Sequence, residues 1–357
     1  MDNQVKSIAF YLPQFYPTPE NDLWWGPGHT EWTNAAAAKP LFKGHYQPKI
    51  PGQLSYYDLR LPSVREQQAE LAKEAGIYGF CYWHYWFGNG KRLLSEVFSD
   101  VVDSGKPDFP FCLCWANHSW YNKFWMPNVP DRLLIEQTYP GTEDYEEHFM
   151  TMLPAFKDPR YIKVNDRLLF GFFQPWEFDV SSFMQVWNRL AEENGLKGFY
   201  FFDFCYGMSN YNKTDHRLFD LCVLDPLFDA FDGITAFNFR LSHYVSKKRR
   251  PSQIASYAHY CKKVMGLFKK YPLTVPCVVP HFDHSPRSGT RGHILYDDSP
   301  EQWGHLLNDV KKLIIDRPED ERLLFIKAWN EWGEGNYLEP DSKYGRQYID
   351  ETAKWLK

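Results

Sequence analysis

Basic residues are in short supply in this 357-residue chain. Lysine and arginine number 40 against 45 aspartates and glutamates, a formal net charge of -5. A surface that neutralises phosphates needs the opposite balance, so nucleic acid is excluded as a partner. The one dense basic run, Lys247-Lys248-Arg249-Arg250, reads as a solvated loop ahead of a helix. No apolar stretch reaches the roughly 18 residues that span a bilayer. No signal peptide precedes Val5, so the expectation is a cytoplasmic protein, or an exported one if a leader has been removed. Cysteines are odd in number, at 81, 112, 114, 205, 222, 261 and 277, and none forms a Cys-x-x-Cys pair. That argues against zinc, and no metal is expected. Cys81, Cys112, Cys114, Cys205 and Cys277 lie in strand-like runs, where a reduced thiol acts as a small apolar filler. A Gly-x-Gly-x-x-Gly loop is missing after the first strand candidate, and Asp-x-Asp is missing throughout, so no nucleotide or other cofactor is expected. Repeats, low-complexity tracts and linkers are absent too, and residues 1–357 read as one domain.

What the chain has in excess is aromatic surface: 14 Trp, 23 Tyr and 28 Phe make up 18% of it. A core absorbs many of these, but those that cluster with polar residues suit a carbohydrate cleft, where indole and phenol faces stack on the C–H surface of a sugar. Short runs that are apolar on both faces alternate with amphipathic stretches, as buried parallel strands alternate with helices. Strand candidates are Ser7–Leu12, Tyr78–Trp83, Phe109–Trp115, Arg167–Phe173, Gly198–Phe204, Gly233–Phe237, Leu273–Pro280 and Leu323–Trp329. Helix candidates are Pro62–Ala75, Arg92–Ser104, Thr142–Phe156, Ser181–Glu193, Pro251–Lys269, Pro300–Ile315 and Tyr344–Leu356, with prolines near several starts. The helix between the fifth and sixth strands is poorly marked. The pattern predicts an α/β fold, a single (β/α)8 TIM-type barrel, with a doubly wound sheet as the runner-up. Residues 13–61, rich in Pro, Gly, Trp and Tyr, form a long insertion after the first strand, and its aromatic content predicts order.

Barrel active sites lie at the C-terminal ends of the strands. Reading those ends gives a recurrent polar and aromatic set that predicts contacts to an oligo- or polysaccharide: Tyr11, then His84, Tyr85 and Trp86, then Trp115, Asn117 and His118. Later strands add Asp203 and Tyr206, then His281 and Asp283, and finally Trp329, Asn330 and Trp332; the insertion adds Glu31 and Trp32. Each has a plainer reading. His84 and His118 are compatible with satisfied core imidazoles, and Asn330 with a backbone clamp. Glu31 and Trp32 suit a tie for the insertion, and Glu339 and Asp341 a brace for the last loop. His281, Asp283 and His284 have a spacing that metal ligands can use, but alternation on an extended segment turns His284 away from the other two.

The segment Trp329-Asn330-Glu331-Trp332-Gly333-Glu334-Gly335-Asn336 places two carboxylates three residues apart among indoles at the end of the last strand. Glu331 and Glu334 are therefore the candidate catalytic pair, because glycoside cleavage needs one protonated acid and one carboxylate with a second task. Their closeness does not span opposite faces of a sugar ring. Gly333 and Gly335 offer the backbone freedom for a bend that spreads the side chains.

Asn330-Glu331-Trp332-Gly333-Glu334-Gly335 resembles the Asn-Glu-Trp-x-Glu-Gly motif of glycoside hydrolase family 99, the endo-α-mannosidases and endo-α-mannanases. Extended through Asn336-Tyr337-Leu338-Glu339-Pro340-Asp341, it is closer still to the family 99-like WbsX proteins. Phe10–Pro17, Glu31–Asn34, Gly44–Pro48, Tyr78–Trp86 and Trp115–Asn117 are similar to that group as well, so the resemblance covers nearly the whole chain. It implies a (β/α)8 barrel and retaining hydrolysis in which the substrate's own 2-hydroxyl attacks C1 to form a 1,2-anhydro sugar. By position, Glu331 would be the base for that hydroxyl and Glu334 the acid for the leaving oxygen. The mannosidases carry His where this chain has Gly333, so the likeness stops short of mannose specificity. WbsX-like proteins are often labelled glycosyltransferases of lipopolysaccharide, O-antigen or capsule synthesis, which is the alternative; a non-catalytic glycan-binding module is a third reading.

Overall fold

The structure, a computed structural model, describes residues 5–122, 132–234 and 253–357. Eight parallel strands close into a barrel: β1 Lys6–Tyr11, β2 Gly79–His84, β3 Phe111–Trp115, β4 Arg167–Phe172, β5 Phe199–Tyr206, β6 Leu221–Asp225, β7 Val275–Val278 and β8 Leu323–Ile326. The register runs Ile8↔Gly79, Phe80↔Phe111, Leu113↔Phe170, Leu168↔Phe199, Phe202↔Leu221, Val275↔Val223 and Cys277↔Phe325, and Lys6↔Leu323 closes the ring. Every residue of β2, β3, β7 and β8 is buried, as the two-sided apolar runs predict. Aromatic rings fill the lumen: Phe10 stacks on Trp83 at 4.5 Å between ring centres, and Phe204 meets both. Gly171 leaves the space that the Phe202 ring occupies.

Outside lie α1 Pro62–Ala75, α2 Glu96–Ser104, α3 Thr142–Phe156, α4 Val180–Glu193, α5 Tyr257–Lys270, α6 Pro300–Ile314 and α7 Gln347–Leu356. No helix among the described residues is long and apolar enough to cross a membrane.

Two expectations are corrected. The sixth strand is Leu221–Asp225, not Gly233–Phe237: Gly233 and Ile234 form turn and coil, and 235–237 lie outside the described residues. The reason is register, since β5 runs on to Tyr206 and its last five residues pair with Leu221–Asp225. The fifth outer helix starts at Tyr257 rather than Pro251. Gln253–Ser256 instead pairs in parallel with His293–Tyr296, and the Ser256 side chain caps the helix by accepting from His259 N–H at 3.2 Å. The basic run 247–250 lies outside the described residues. Between β5 and β6 there is no outer helix, only the short turns Met208–Tyr211 and His216–Leu218.

The insertion is ordered. Thr30 and Thr33 form a capping box for the helix Glu31–Ala37. Trp32 Nε1 donates to Tyr57 O at 2.8 Å, and the Tyr57 hydroxyl donates to Glu339 at 2.9 Å. These bonds hold that helix against the turn after β8.

Candidate active site

The turn after β8 carries the two candidate acids. Asn330–Glu331 pairs antiparallel with Asn336–Tyr337, and Trp332–Glu334 forms a single 3-10 turn between them. Gly335 has φ +52°, the left-handed region that ends such a turn. Gly333 serves a different purpose from the bend expected of it. A Cβ there would collide with the Glu31 carboxylate and come within 2.9 Å of Arg287 Nε, so this glycine makes room for an ion pair.

That pair belongs to a buried charge network. Arg287 reaches Glu31 at 2.7 Å with one terminal nitrogen and Glu334 at 2.5 Å with the other. Lys327 lies 3.7 Å from Glu334 and 3.9 Å from Asp225, and His284 lies 3.8 Å from Glu334. Among the described residues no cation lies so near Glu331; its Oε1 accepts from Trp83 Nε1 at 3.1 Å. Burial and the adjacent Glu334 charge push the Glu331 carboxyl up to about 8. Glu334 is buried too, but Lys327 and Arg287 outweigh the burial and bring it down to about 2. The two carboxyls interact directly, so they titrate as a pair, with Glu331 the member pushed up and Glu334 the member held down. Burial raises Asp225 to about 6 against the pull of Lys327, and it lowers His284 to about 4, leaving that imidazole neutral.

The glutamates open into a cleft of about 650 Å³ whose aromatic lining includes Trp25, Trp83, Tyr85, Trp120, Tyr139 and Tyr206, a size and character suited to a ligand. Of the residues expected from sequence, the structure brings Glu31, Tyr85, Asn117, His118, Tyr206, Glu331 and Glu334 to this cleft. Asn117 is already occupied there, its amide binding Phe173 N, Gln174 N and O, and the Tyr139 hydroxyl. His118 packs on Phe173, and burial lowers it to about 4.

The other expected contacts lie behind the cleft, those on the strands because alternation sends every second side chain outward. Tyr11 donates to Gln68 at 2.7 Å, and His84 faces His148 at 2.7 Å. Trp86 donates to Asp144, Trp115 to Trp86 O, and Trp32 to Tyr57 O. Trp332 donates to Glu339 at 2.6 Å, while Trp329 is fully buried against Phe80. Asn330 clamps the end of β1, accepting from Leu12 N at 2.8 Å and donating to Leu12 O at 3.0 Å. His281 meets Lys49 at 3.1 Å, and Asp283 takes His45 at 2.7 Å and Gln47 at 2.5 Å. Asp203 faces His216 on the outer side of β5. His284 does point away from His281 and Asp283, as alternation predicts, and it reaches the cleft. Glu339 and Asp341 brace the last loop.

Sequence reading alone does not single out Trp83, Lys327 or Arg287. Lys327 is a charge inside an apolar strand run, a signal that was there to find. Arg287 comes from a loop remote in sequence, and nothing local marks it.

The family described as Glycosyltransferase WbsX matches residues 7–352. Two curated relatives from Xanthomonas campestris pv. campestris, each described as Uncharacterized protein WxcX, are 33% identical over 354 residues, 98% of this chain; the chain spans 49% of their length. Among solved structures, an endo-α-mannosidase of glycoside hydrolase family 99 from Bacteroides thetaiotaomicron aligns over 100% of this chain and 97% of its own, with TM-score 0.59 at 14% identity. A structure described as a glycoside hydrolase-like protein aligns over 99% and 94%, with TM-score 0.65 at 11% identity. At those identities the likeness is one of fold.

Proposed function

This chain belongs to the WbsX family, and from that premise and its paired glutamates we propose that it is a retaining glycoside hydrolase acting on a bacterial surface polysaccharide or a related glycan. The arrangement that carries this reading is the pair of Glu331 and Glu334 carboxyls, side by side in an aromatic cleft, one pushed up by burial and the other held down by Lys327 and Arg287. Opposed carboxylates that flank a sugar stand roughly 5 Å or more apart. A touching pair suits a reaction on one side of the ring, with the substrate's 2-hydroxyl as nucleophile. From the state in which the pair's proton sits on Glu334, Glu331 takes the O2 proton as O2 bonds to C1. The bond from C1 to the leaving oxygen breaks, and Glu334 protonates that oxygen. Water then opens the 1,2-anhydro ring at C1, giving its proton to Glu334 while Glu331 returns the proton to O2, with net retention. Tyr85, Tyr206 and Trp83 supply ring faces beside the reacting centre, and the cations on Glu334 hold the pair's negative charge.

A second reading reverses the two roles, and a specific observation favours it: Arg287 and Lys327 sit on Glu334 and favour its ionised form, while burial pushes Glu331 up, toward the protonated form that an acid needs.

Release of new reducing ends from surface polysaccharide fragments tests the activity. Glu331→Gln and Glu334→Gln should each lower it by about 10³-fold or more with the fold intact; full activity in either variant sinks the mechanism. An aryl glycoside with a good leaving group separates the roles, since it rescues only the variant that lost the acid. Tight binding of a nucleotide sugar by the wild type would favour a transferase instead.

A further inference from the structure

We propose that Asp203, Cys205, His216 and Cys222 form a zinc site that braces the segment between β5 and β6. Their ligand atoms all lie within 4.8 Å of one another. A tetrahedral zinc ion holds such atoms roughly 3.3 to 3.8 Å apart, so each needs to move by less than about 1 Å. Two thiols, an imidazole and a carboxylate form a set that favours zinc over the hard cations magnesium and calcium.

Two further observations point to a ligand. His216 Nε2 donates to Tyr211 O at 2.8 Å, the outer contact by which a metal-binding histidine fixes its ring and presents the other nitrogen. Nδ1 faces the cluster, 2.9 Å from Asp203 Oδ2. Asp203 is fully buried, and its Oδ1 has no hydrogen-bond partner among the described residues; burying a carboxylate oxygen that way is costly unless something binds it.

The location gives the site a purpose. Phe202 and Phe204 point into the barrel, which turns Asp203 and Cys205 outward into the layer where every other helix of length packs. Between β5 and β6 that layer holds only two short turns, and His216 lies in the second. Cys222 is the register partner of Asp203 on β6. A metal here would replace the missing helix as the tie between the two strands and their connection, and it would fix the base of Tyr206, which lines the cleft. The ligand spacings of 2, 11 and 6 residues match no common zinc pattern, which is why the sequence argues against a metal. On binding, the two thiol protons and the Nδ1 proton leave to solvent, and two thiolates, a carboxylate and a neutral imidazole hold the dication.

Metal content of the full chain purified without chelators tests this, with about one zinc per chain expected. Cobalt(II) added to metal-depleted protein should give tetrahedral visible bands and a thiolate charge-transfer band, a readout that needs no variant and no activity. Cys222→Ser and His216→Gln should lose or shift those bands while circular dichroism shows the barrel intact, and zinc should raise the Tm of depleted wild type but not of Cys222→Ser. Substoichiometric zinc together with no thiolate band overturns the proposal, as does a Cys205–Cys222 disulfide seen by mass in the freshly isolated protein.

Discussion

Gly333 is the residue whose missing side chain makes room for the ion pair of the site. The volume that a Cβ would take is filled by Glu31 and Arg287, which the insertion after β1 and the loop after β7 bring in from either side. Gly333→Ala should therefore displace Glu31 from Arg287 and lower kcat/KM by about 10-fold or more while Tm changes little; unchanged kinetics would show that the pair does not order the site. Lys327 acts on the same carboxyls by charge. With Glu331 up at about 8 and Glu334 down at about 2, the singly protonated pair is lost as pH rises through about 8, so kcat/KM should fall on that side. Lys327 lowers both groups, and Lys327→Met should move both limbs of the pH profile to higher pH. A limb that stays put or moves down would contradict the assignment.

At the scale of elements, the turn after β8 depends on one backbone conformation. Gly335 has φ +52°, and a Cβ there would lie 2.9 Å from Asp283 Cβ, while Asp283 N–H donates to Glu334 O at 2.7 Å. Gly335→Ala should destabilise the fold by about 1 to 2 kcal/mol from the torsion alone, read as a lower denaturant midpoint, and should also disturb the acid pair. Elements that declare themselves locally were legible in the sequence: Pro62–Ala75 and Thr142–Phe156 begin and end where their patterns predict. The sixth strand was not, because Leu221–Asp225 and Gly233–Phe237 are alike as short apolar runs, and only pairing with the end of β5 distinguishes them. The site was half legible for a related reason. Strand ends identify a layer, but the face each residue takes is set by register, so in the run from Trp83 to Trp86 the cleft receives Trp83 and Tyr85, while His84 and Trp86 pack outside. Arg287 was invisible because its partners, Glu31 and Glu334, are far away in sequence.

For the whole molecule, the site carries a cost in stability that varies with pH. Besides Glu331, burial raises Glu339 to about 7 and Asp225 to about 6. A carboxyl raised in the folded state keeps a proton that the unfolded chain gives up above about 4. Its favourable contribution is therefore complete below that pH and is lost as pH rises through the folded value. Glu334 and Asp283, both held near about 2, work in the other direction, but their change is confined to acid pH, below about 4. From pH 5 to 8 the raised group dominates, so the folded state should weaken across that interval. Glu331→Gln removes the largest of these terms. It keeps a side chain of the same shape against Trp83 and has no charge to bury. The Tm of this variant should match wild type near pH 5 and exceed it by pH 8, as the stability gap widens by about 1.4 kcal/mol per pH unit. Thermal melts of both proteins across that range decide the matter, and a gap that stays constant or narrows with rising pH would mean that Glu331 is ionised at neutral pH and that the shared proton lies elsewhere.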